Sequence, residues 1–392
     1  MNVQGIKSGY AFSRNPIILR ESFPIDDPNK IPEGRCEIIY AGTTIYEGRF
    51  SPPLAMNVAE IADAFVTFLN EPPESNISPI CQIEDTGEIC DRELYCYFDF
   101  DGYDSEYSCY VIPGGISRQN YKRLIQLGKD VFQERFFNPK GNFFLTTRTA
   151  SWRIVMKETE LYPLYFLPHR TGDIIRIIER ATGSVYENDS FDEGVAVLDV
   201  AALRRYFAEQ ERVLSSVFDV YYNSHFSCRI VVERCDPMRE RYRLKFRNSL
   251  GVFEIIELTG ELSITPEYAD ADESQFKRYD AITTEFYTDR ERVERKQTIS
   301  VETGVKRPDE IRFLMDMLGS EEVYLLDLTP LPVKVIPSAE ELTYHPRPES
   351  PQKFTIKLEI SSSEENIMQE IIDGSESRKP RIFSKQFSKQ FN

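Results

Sequence analysis

The residues best placed to do chemistry form the run Asp99-Phe-Asp101-Gly-Tyr-Asp104-Ser-Glu106, where carboxylates alternate around a glycine. Such a run can fold oxygen ligands about a hard cation, and calcium chemistry is what it would serve. Its spacing departs from the twelve-residue calcium loop, which has glycine sixth and glutamate twelfth, so a solvated acidic turn between strands over 95–100 and 107–112 is the competing expectation. Asp270, Asp272 and Glu273, in PEYADADESQ, read the same way. Of three histidines, none belongs to an H-E-x-x-H, H-x-x-H or nucleophile-histidine-acid signature, and His225, in YYNSHFSCR, is expected to be a structural strand residue. Neither G-x-x-x-x-G-K-[ST] nor G-x-G-x-x-G occurs. The seven cysteines contain no C-x-x-C pair and are expected to be scattered reduced thiols, not a zinc site or a disulfide framework. These residues point to no catalytic centre and no cofactor.

A second constellation is cationic. Over 241–262, RYRLKFRNSLGVFEIIELTGEL, Arg241, Arg243, Lys245 and Arg247 alternate with Tyr242, Leu244 and Phe246 before a glycine-containing turn and a second apolar run. Period-two alternation across a short turn predicts a β-hairpin with one dry face and four like charges on the other. In a chain of 47 bases and 64 acids, this ladder must meet carboxylates. Glu254 and Glu257 across the hairpin are one choice, acids of a neighbouring chain the other. The four cations are therefore candidate interface residues.

The formal charge of −17 argues against sequence-independent nucleic-acid binding by the body of the protein, which would need positive surface. No apolar run of about 18 residues exists, and the N-terminal MNVQGIKSGYAFSRNPIILR lacks the features of a secretory signal, so no membrane span is expected and synthesis in the cytoplasm is. At 392 residues and 41% hydrophobic, the chain reads as a packed globular protein of two or three domains.

The elements that must position these groups are mostly strands. A hairpin is predicted over 35–50, then a helix over 57–69 and a surface loop or linker over 71–91. A long helix over 117–137 follows, with strands over 143–147, 152–157, 162–167, 173–179 and 195–200 and a helix over 201–217. Strands near 217–222 and 229–233, the cationic hairpin, and strands over 281–288 and 298–303 lead to a helix over 308–318. Pro308 stands near its first position, Asp309 and Glu310 lie in its first turn, Ile311, Leu314, Met315 and Leu318 share one face, and Gly319 is its stop. Strands over 323–328, 331–336 and 354–360 close the pattern. The predicted fold class is mainly β, of sandwich-like or barrel-like domains with a few packed helices, α+β overall. The domains expected are 1–78, β-rich; 79–200, an α+β middle domain or insertion; 201–361, β-rich with one well-capped helix; and 362–392, an extended arm.

Four segments carry a resemblance: FSRNPIILR, the CEIIYAGTTIYEGRF hairpin, RLKFRNSLGVFEIIELTG, and RPDEIRFLMDMLGSEEVYLLDLTPLPVKVIP. In pattern and order, over residues 10–70 and 240–360, they resemble tail-associated minor structural proteins encoded by phages and prophages of Bacteroidetes-type bacteria. That family's K-F-x-N-S-x-G-x-x-E is similar to Lys245, Phe246, Asn248, Ser249, Gly251 and Glu254, and its helix followed by E-V-Y-L-L is similar to Glu322, Val323, Tyr324, Leu325 and Leu326. These are fold determinants. The resemblance implies a non-enzymatic baseplate or tail-tip subunit in the virion, made in the host bacterial cytoplasm, forming homo-oligomers and contacting other tail proteins. Residues 79–200 lie outside it. Two other classes stay open: a receptor- or carbohydrate-binding module using exposed aromatics, for which 21 tyrosines and 26 phenylalanines leave room, and a polymer-degrading hydrolase with two carboxylates across one cleft.

The final SRKPRIFSKQFSKQFN, residues 377–392, carries five bases and no acid. Phe383, Phe387 and Phe391 recur at i, i+4, i+8, so a helical arm would lay three aromatics in a groove of an adjacent subunit while Arg381, Lys385 and Lys389 met acidic surface. A frayed, solvated tail is the competing expectation. These six residues complete the candidate interface set.

Overall fold

Turn chemistry sets the N-terminal sheet. Ala41 (φ 51°) and Gly42 (φ 73°) both occupy the left-handed region, the geometry of a two-residue hairpin turn matched to strand twist, and they join Gly34–Tyr40 to Thr43–Phe50. A computed structural model describes residues 2–3, 6–21, 33–51, 53–73, 78–100, 103–148, 152–168, 170–189, 192–212, 214–235, 240–270, 275–290, 293–328, 330–339, 342–343 and 352–361. It shows a mainly β chain with a few packed helices, α+β overall.

The N-terminal five-stranded sheet runs Tyr10–Phe12, Tyr103–Ile112, Glu93–Phe100, Gly34–Tyr40, Thr43–Phe50, with its first pair parallel. Cys36, Ile38, Leu94, Cys96, Phe98, Cys109 and Val111 face its core. Burial pushes the Cys109 thiol up to about 12, so it sits there as a small protonated apolar group.

The middle five-stranded sheet runs Arg153–Lys157, His225–Glu233, Val217–Tyr222, Ile175–Glu179, Val185–Asn188. Its inward Ile154, Ile177, Phe218 and Ile230 pack with Leu203 and Phe207 of the helix Val200–Glu211. A seven-stranded sheet holds the C-terminal part, in the order Phe253–Leu258, Tyr242–Arg247, Val323–Leu325, Val333–Ser338, Thr355–Ile360, Val293–Glu302, Leu262–Asp270. A further core joins Tyr10, Phe132, Tyr165, Val197 and Val252, drawing on all three stretches of sequence. Residues up to 265 and from 298 to 361 form one compact unit; residues 266–297 belong to a second, described by itself, in which Gln275–Asp280 pairs with Glu285–Arg290.

Several elements differ from expectation for local reasons. The helix predicted over 117–137 ends at Gln126, because Gly128 turns left-handed (φ 66°) and Asp130 then opens a new turn, accepting bonds from Phe132 N (2.8 Å) and Gln133 N (3.1 Å). A π-helical turn, Phe132–Phe136, follows. The helix after Asp199 stops at Glu211, where Arg212 turns left-handed (φ 56°). At 57–69 the helix is only Ala59–Asp63, and the presumed linker holds a strand, Ile80–Glu84, and a short helix, Thr86–Cys90. Over 143–147 there is no strand. Leu145 N bonds Tyr165 O (2.8 Å) while Thr146 and Thr147 turn to Glu254, so the segment makes no ladder. Residues 281–284 are a turn, not part of a strand. The helix Pro308–Leu318 is where it was expected but rotated: it buries Ile311, Phe313, Leu314 and Met317, with Phe313 against Phe246 (ring centroids 5.0 Å apart), and leaves Met315 43% exposed.

Candidate interaction surfaces

The cationic ladder lies on an interior strand of the seven-stranded sheet, between Phe253–Leu258 and Val323–Leu325. Leu244 and Phe246 face the core as the alternation requires. Each cation meets a carboxylate of its own chain. Arg241 Nε lies 3.1 Å from Glu257 Oε2. Arg243 clasps Asp327, with Nη2 2.6 Å from Oδ1 and its backbone N–H 2.8 Å from Oδ2. Lys245 Nζ donates to Glu71 Oε2 (2.6 Å) and Arg247 Nε to Glu322 Oε2 (2.8 Å). Lys245 and Arg247 also lie 4.2 Å and 4.0 Å from the Phe253 ring centroid, and Arg247 is 3.7 Å from that of Phe68. Of the two acids expected across the hairpin, Glu257 takes part. Glu254 does not, because it stands opposite Phe246 and points into the protein.

There Glu254 accepts from Thr146 Oγ1 (2.6 Å), Asn248 Nδ2 (2.7 Å) and Thr147 N (3.1 Å), with Arg148 Nε 3.5 Å away. Arg148 also bonds Glu160 Oε2 (2.8 Å), and Glu160 accepts the backbone N–H groups of Glu257 (2.9 Å) and Lys157 (3.1 Å). Lys306 Nζ donates to Glu257 O (2.6 Å), and Lys157 Nζ lies 3.4 Å from the fully buried Glu257 carboxylate. Burial pushes the Glu254 carboxyl up despite Arg148 and its hydrogen bonds. At Glu160 burial also acts upward, but Arg148 and the two backbone donors outweigh it and hold the carboxyl below its usual range. Burial and the neighbouring Lys157 lower Lys306. Chemically this is an ionic seam that fastens the segment 146–160 to the strand Phe253–Leu258.

The acidic run lies on the hairpin Glu93–Phe100 and Tyr103–Ile112. Asp99 faces Asp104 across the strands and Tyr97 Oη donates to Asp104 Oδ1 (2.9 Å). Asp101 and Gly102 lie outside the described residues. Among the described residues, no group of three or more His, Cys, Asp or Glu side chains is placed to hold a metal ion, and no helix is long and apolar enough to cross a membrane. His225 is exposed at the start of its strand, with Nδ1 2.9 Å from Asn223 O, because the strand begins at a tight turn and not in the core. A half-open cleft of about 390 Å³ is lined by charges of both signs, among them Arg14, Arg247, Asp316 and Glu321.

The least expected surface is the hairpin Gln275–Asp280 and Glu285–Arg290. Asp280 shapes its turn, accepting Ile282 N on Oδ1 (2.8 Å) and Thr284 N on its carbonyl (2.9 Å). Ile282 is 93% exposed and Phe286 68%, with Tyr279 and Tyr287 also exposed, and Tyr279 faces Phe286 across the strands at 5.1 Å. The sequence signal was present in DAITTE, where Asp280 and Glu285 flank the turn and two threonines lie in it; the strand expected over 281–288 is realised as Glu285–Arg290, and its partner Gln275–Asp280 was not expected. The arm residues Arg381, Phe383, Lys385, Phe387, Lys389 and Phe391 lie outside the described residues. No family model matches the chain, and no curated protein matches it.

Proposed function

We propose that this chain is a non-enzymatic structural subunit of a phage tail or tail-like particle, of the baseplate or tail-tip kind, that joins neighbouring subunits through its β-rich units. The observation that carries this reading is the hairpin at 275–290. Its two strands pair with each other in a two-stranded sheet, and its Tyr279, Ile282, Phe286 and Tyr287 face solvent. An isolated two-stranded hairpin is marginal in water, and open strand edges beside exposed apolar groups are what one chain offers another. The cationic ladder, by contrast, spends its charges inside the chain.

The resemblance supports the same reading. RLKFRNSLGVFEIIELTG forms the hairpin Tyr242–Arg247 and Phe253–Leu258, and the late segment supplies the helix Pro308–Leu318 and the strand Val323–Leu325 beside it, so the two form one packed kernel. On sequence grounds the arm at 377–392 is a second joint. The partners are further copies of the chain and other tail proteins, in the virion. Negative-stain imaging of the purified chain, alone and mixed with candidate tail proteins, tests this: rings, fibres or discrete complexes are expected, whereas a lone monomer under every mixture would refute it.

A further inference from the structure

We propose that the outward face of the middle sheet, around Trp152, is a saccharide-binding platform. The inward face of these strands is filled by Phe218, Val220, Cys228 and Ile230, so the rings on the other face do no core packing. Trp152, the chain's single tryptophan, is nevertheless 51% exposed. It precedes the strand Arg153–Lys157, and its carbonyl accepts Arg229 N (2.7 Å) from the parallel neighbour, which fixes it beside that strand. Its ring lies 6.0 Å from that of the exposed Phe226, which in turn meets Tyr221 edge-on at 5.7 Å. Arg229 stands 5.3 Å from the indole centroid.

Planar polar groups border these rings. Arg229 gives two bonds to Asp219, Nε to Oδ1 at 2.5 Å and Nη2 to Oδ2 at 3.1 Å, leaving three N–H groups of the guanidinium outside that pair. Arg176 stands opposite Tyr221 on the next strand, 3.8 Å from Glu187. A sugar ring has an apolar C–H face and a rim of adjacent hydroxyls, so it would lie on the indole while guanidinium donors and carboxylate acceptors took the rim. A nucleobase would also stack, but a nucleic acid needs cations left over for its phosphates. Here Asp219 and Glu187 offset Arg229 and Arg176, in a chain of net charge −17. The geometry favours a neutral or weakly charged oligosaccharide, and it holds whether or not the chain assembles.

The single tryptophan makes the test specific, because all indole fluorescence comes from this site. The labelled intact chain is applied to an array of hexose, deoxyhexose and N-acetylhexosamine oligosaccharides, and a bound glycan is titrated in solution beside a thymidine oligonucleotide. The expected result is saturable quenching by the glycan and none by the oligonucleotide. Trp152→Ala should lose array binding, Trp152→Phe should keep most of it, and Phe226→Ala should weaken it by about tenfold, all with unchanged thermal unfolding. No bound glycan, binding retained by Trp152→Ala, or quenching by the oligonucleotide alone would overturn the proposal.

Discussion

Lys245 Nζ stands 2.6 Å from a carboxylate oxygen of Glu71, a residue 174 positions earlier in the chain, and the same oxygen accepts the Tyr162 hydroxyl at 2.9 Å. A segment whose composition reads as linker is thereby tied to the ladder and to the middle stretch. The Glu71 end of this pair is half-exposed, and such pairs contribute little. A double-mutant cycle of Lys245→Ala and Glu71→Ala, read by denaturant titration, should give a coupling below about 1 kcal/mol. Arg148→Met removes the counter-charge of Glu254 and Glu160 in the buried seam, and should cost about 3–5 kcal/mol. Comparable losses in the two experiments would contradict this division between surface pairing and buried seam.

The rotated helix makes a paired prediction. Leu314 is fully buried, so Leu314→Ala should cost about 2–5 kcal/mol. Met315→Ala, one residue on but 43% exposed, should cost less than about 1 kcal/mol. Equal costs would return the buried face to the residues that simple spacing chose.

Gly251 has φ 84°, and a β-carbon built there would lie 2.5 Å from the Pro113 carbonyl oxygen. Beside it, Gly115 N donates to Ser249 O (2.8 Å), so this turn and the segment 113–115 touch backbone to backbone. Gly251→Ala must move one of them as well as strain its own φ, and a loss of about 1–3 kcal/mol is expected in chemical denaturation. An unchanged midpoint would show that the contact yields freely.

At Glu322, burial raises the carboxyl, but bonds from the Tyr324 hydroxyl and the Arg247 guanidinium outweigh it, so the folded-state value lies below the usual one. A depressed carboxylate adds stability above its unfolded value of about 4.3, and loses it as pH falls through the folded value. Glu322→Gln should therefore lower stability at neutral pH and show a shallower decline in acid. A parallel decline in both proteins would assign the acid limb to other groups.

The hairpins at 34–50 and 242–258 were legible in the sequence because alternation and turn residues agree there. The helix at Pro308 was legible from its punctuation and its buried face in part: Ile311 and Leu314 are buried as expected, whereas Phe313, packed on Phe246 of a distant strand, and Met317 take the place expected of Met315. The break at Gly128 and Asp130 was written in LGKD, yet its anchor, Asp130 accepting the backbone N–H groups of Lys7 and Ser8 at 2.5 Å and 2.9 Å, spans the fold. The ladder's partners Glu71, Glu322 and Asp327 were hidden for the same reason, because non-local pairing leaves no local pattern. The exposure of Trp152 has no local pattern to announce it, and of the hairpin at 275–290 only its second strand, expected over 281–288 and found at Glu285–Arg290, was legible.

The central claim, that the hairpin at 275–290 joins subunits, is tested most directly by light scattering on the eluting purified chain and on its Ile282→Asp, Phe286→Asp double variant. The account predicts a particle mass that is a multiple of 45.5 kDa for the parent chain and a folded species of smaller mass for the variant. A parent chain that stays at 45.5 kDa alone and in every mixture with candidate tail proteins, or a variant that keeps the parent's particle mass, would contradict it.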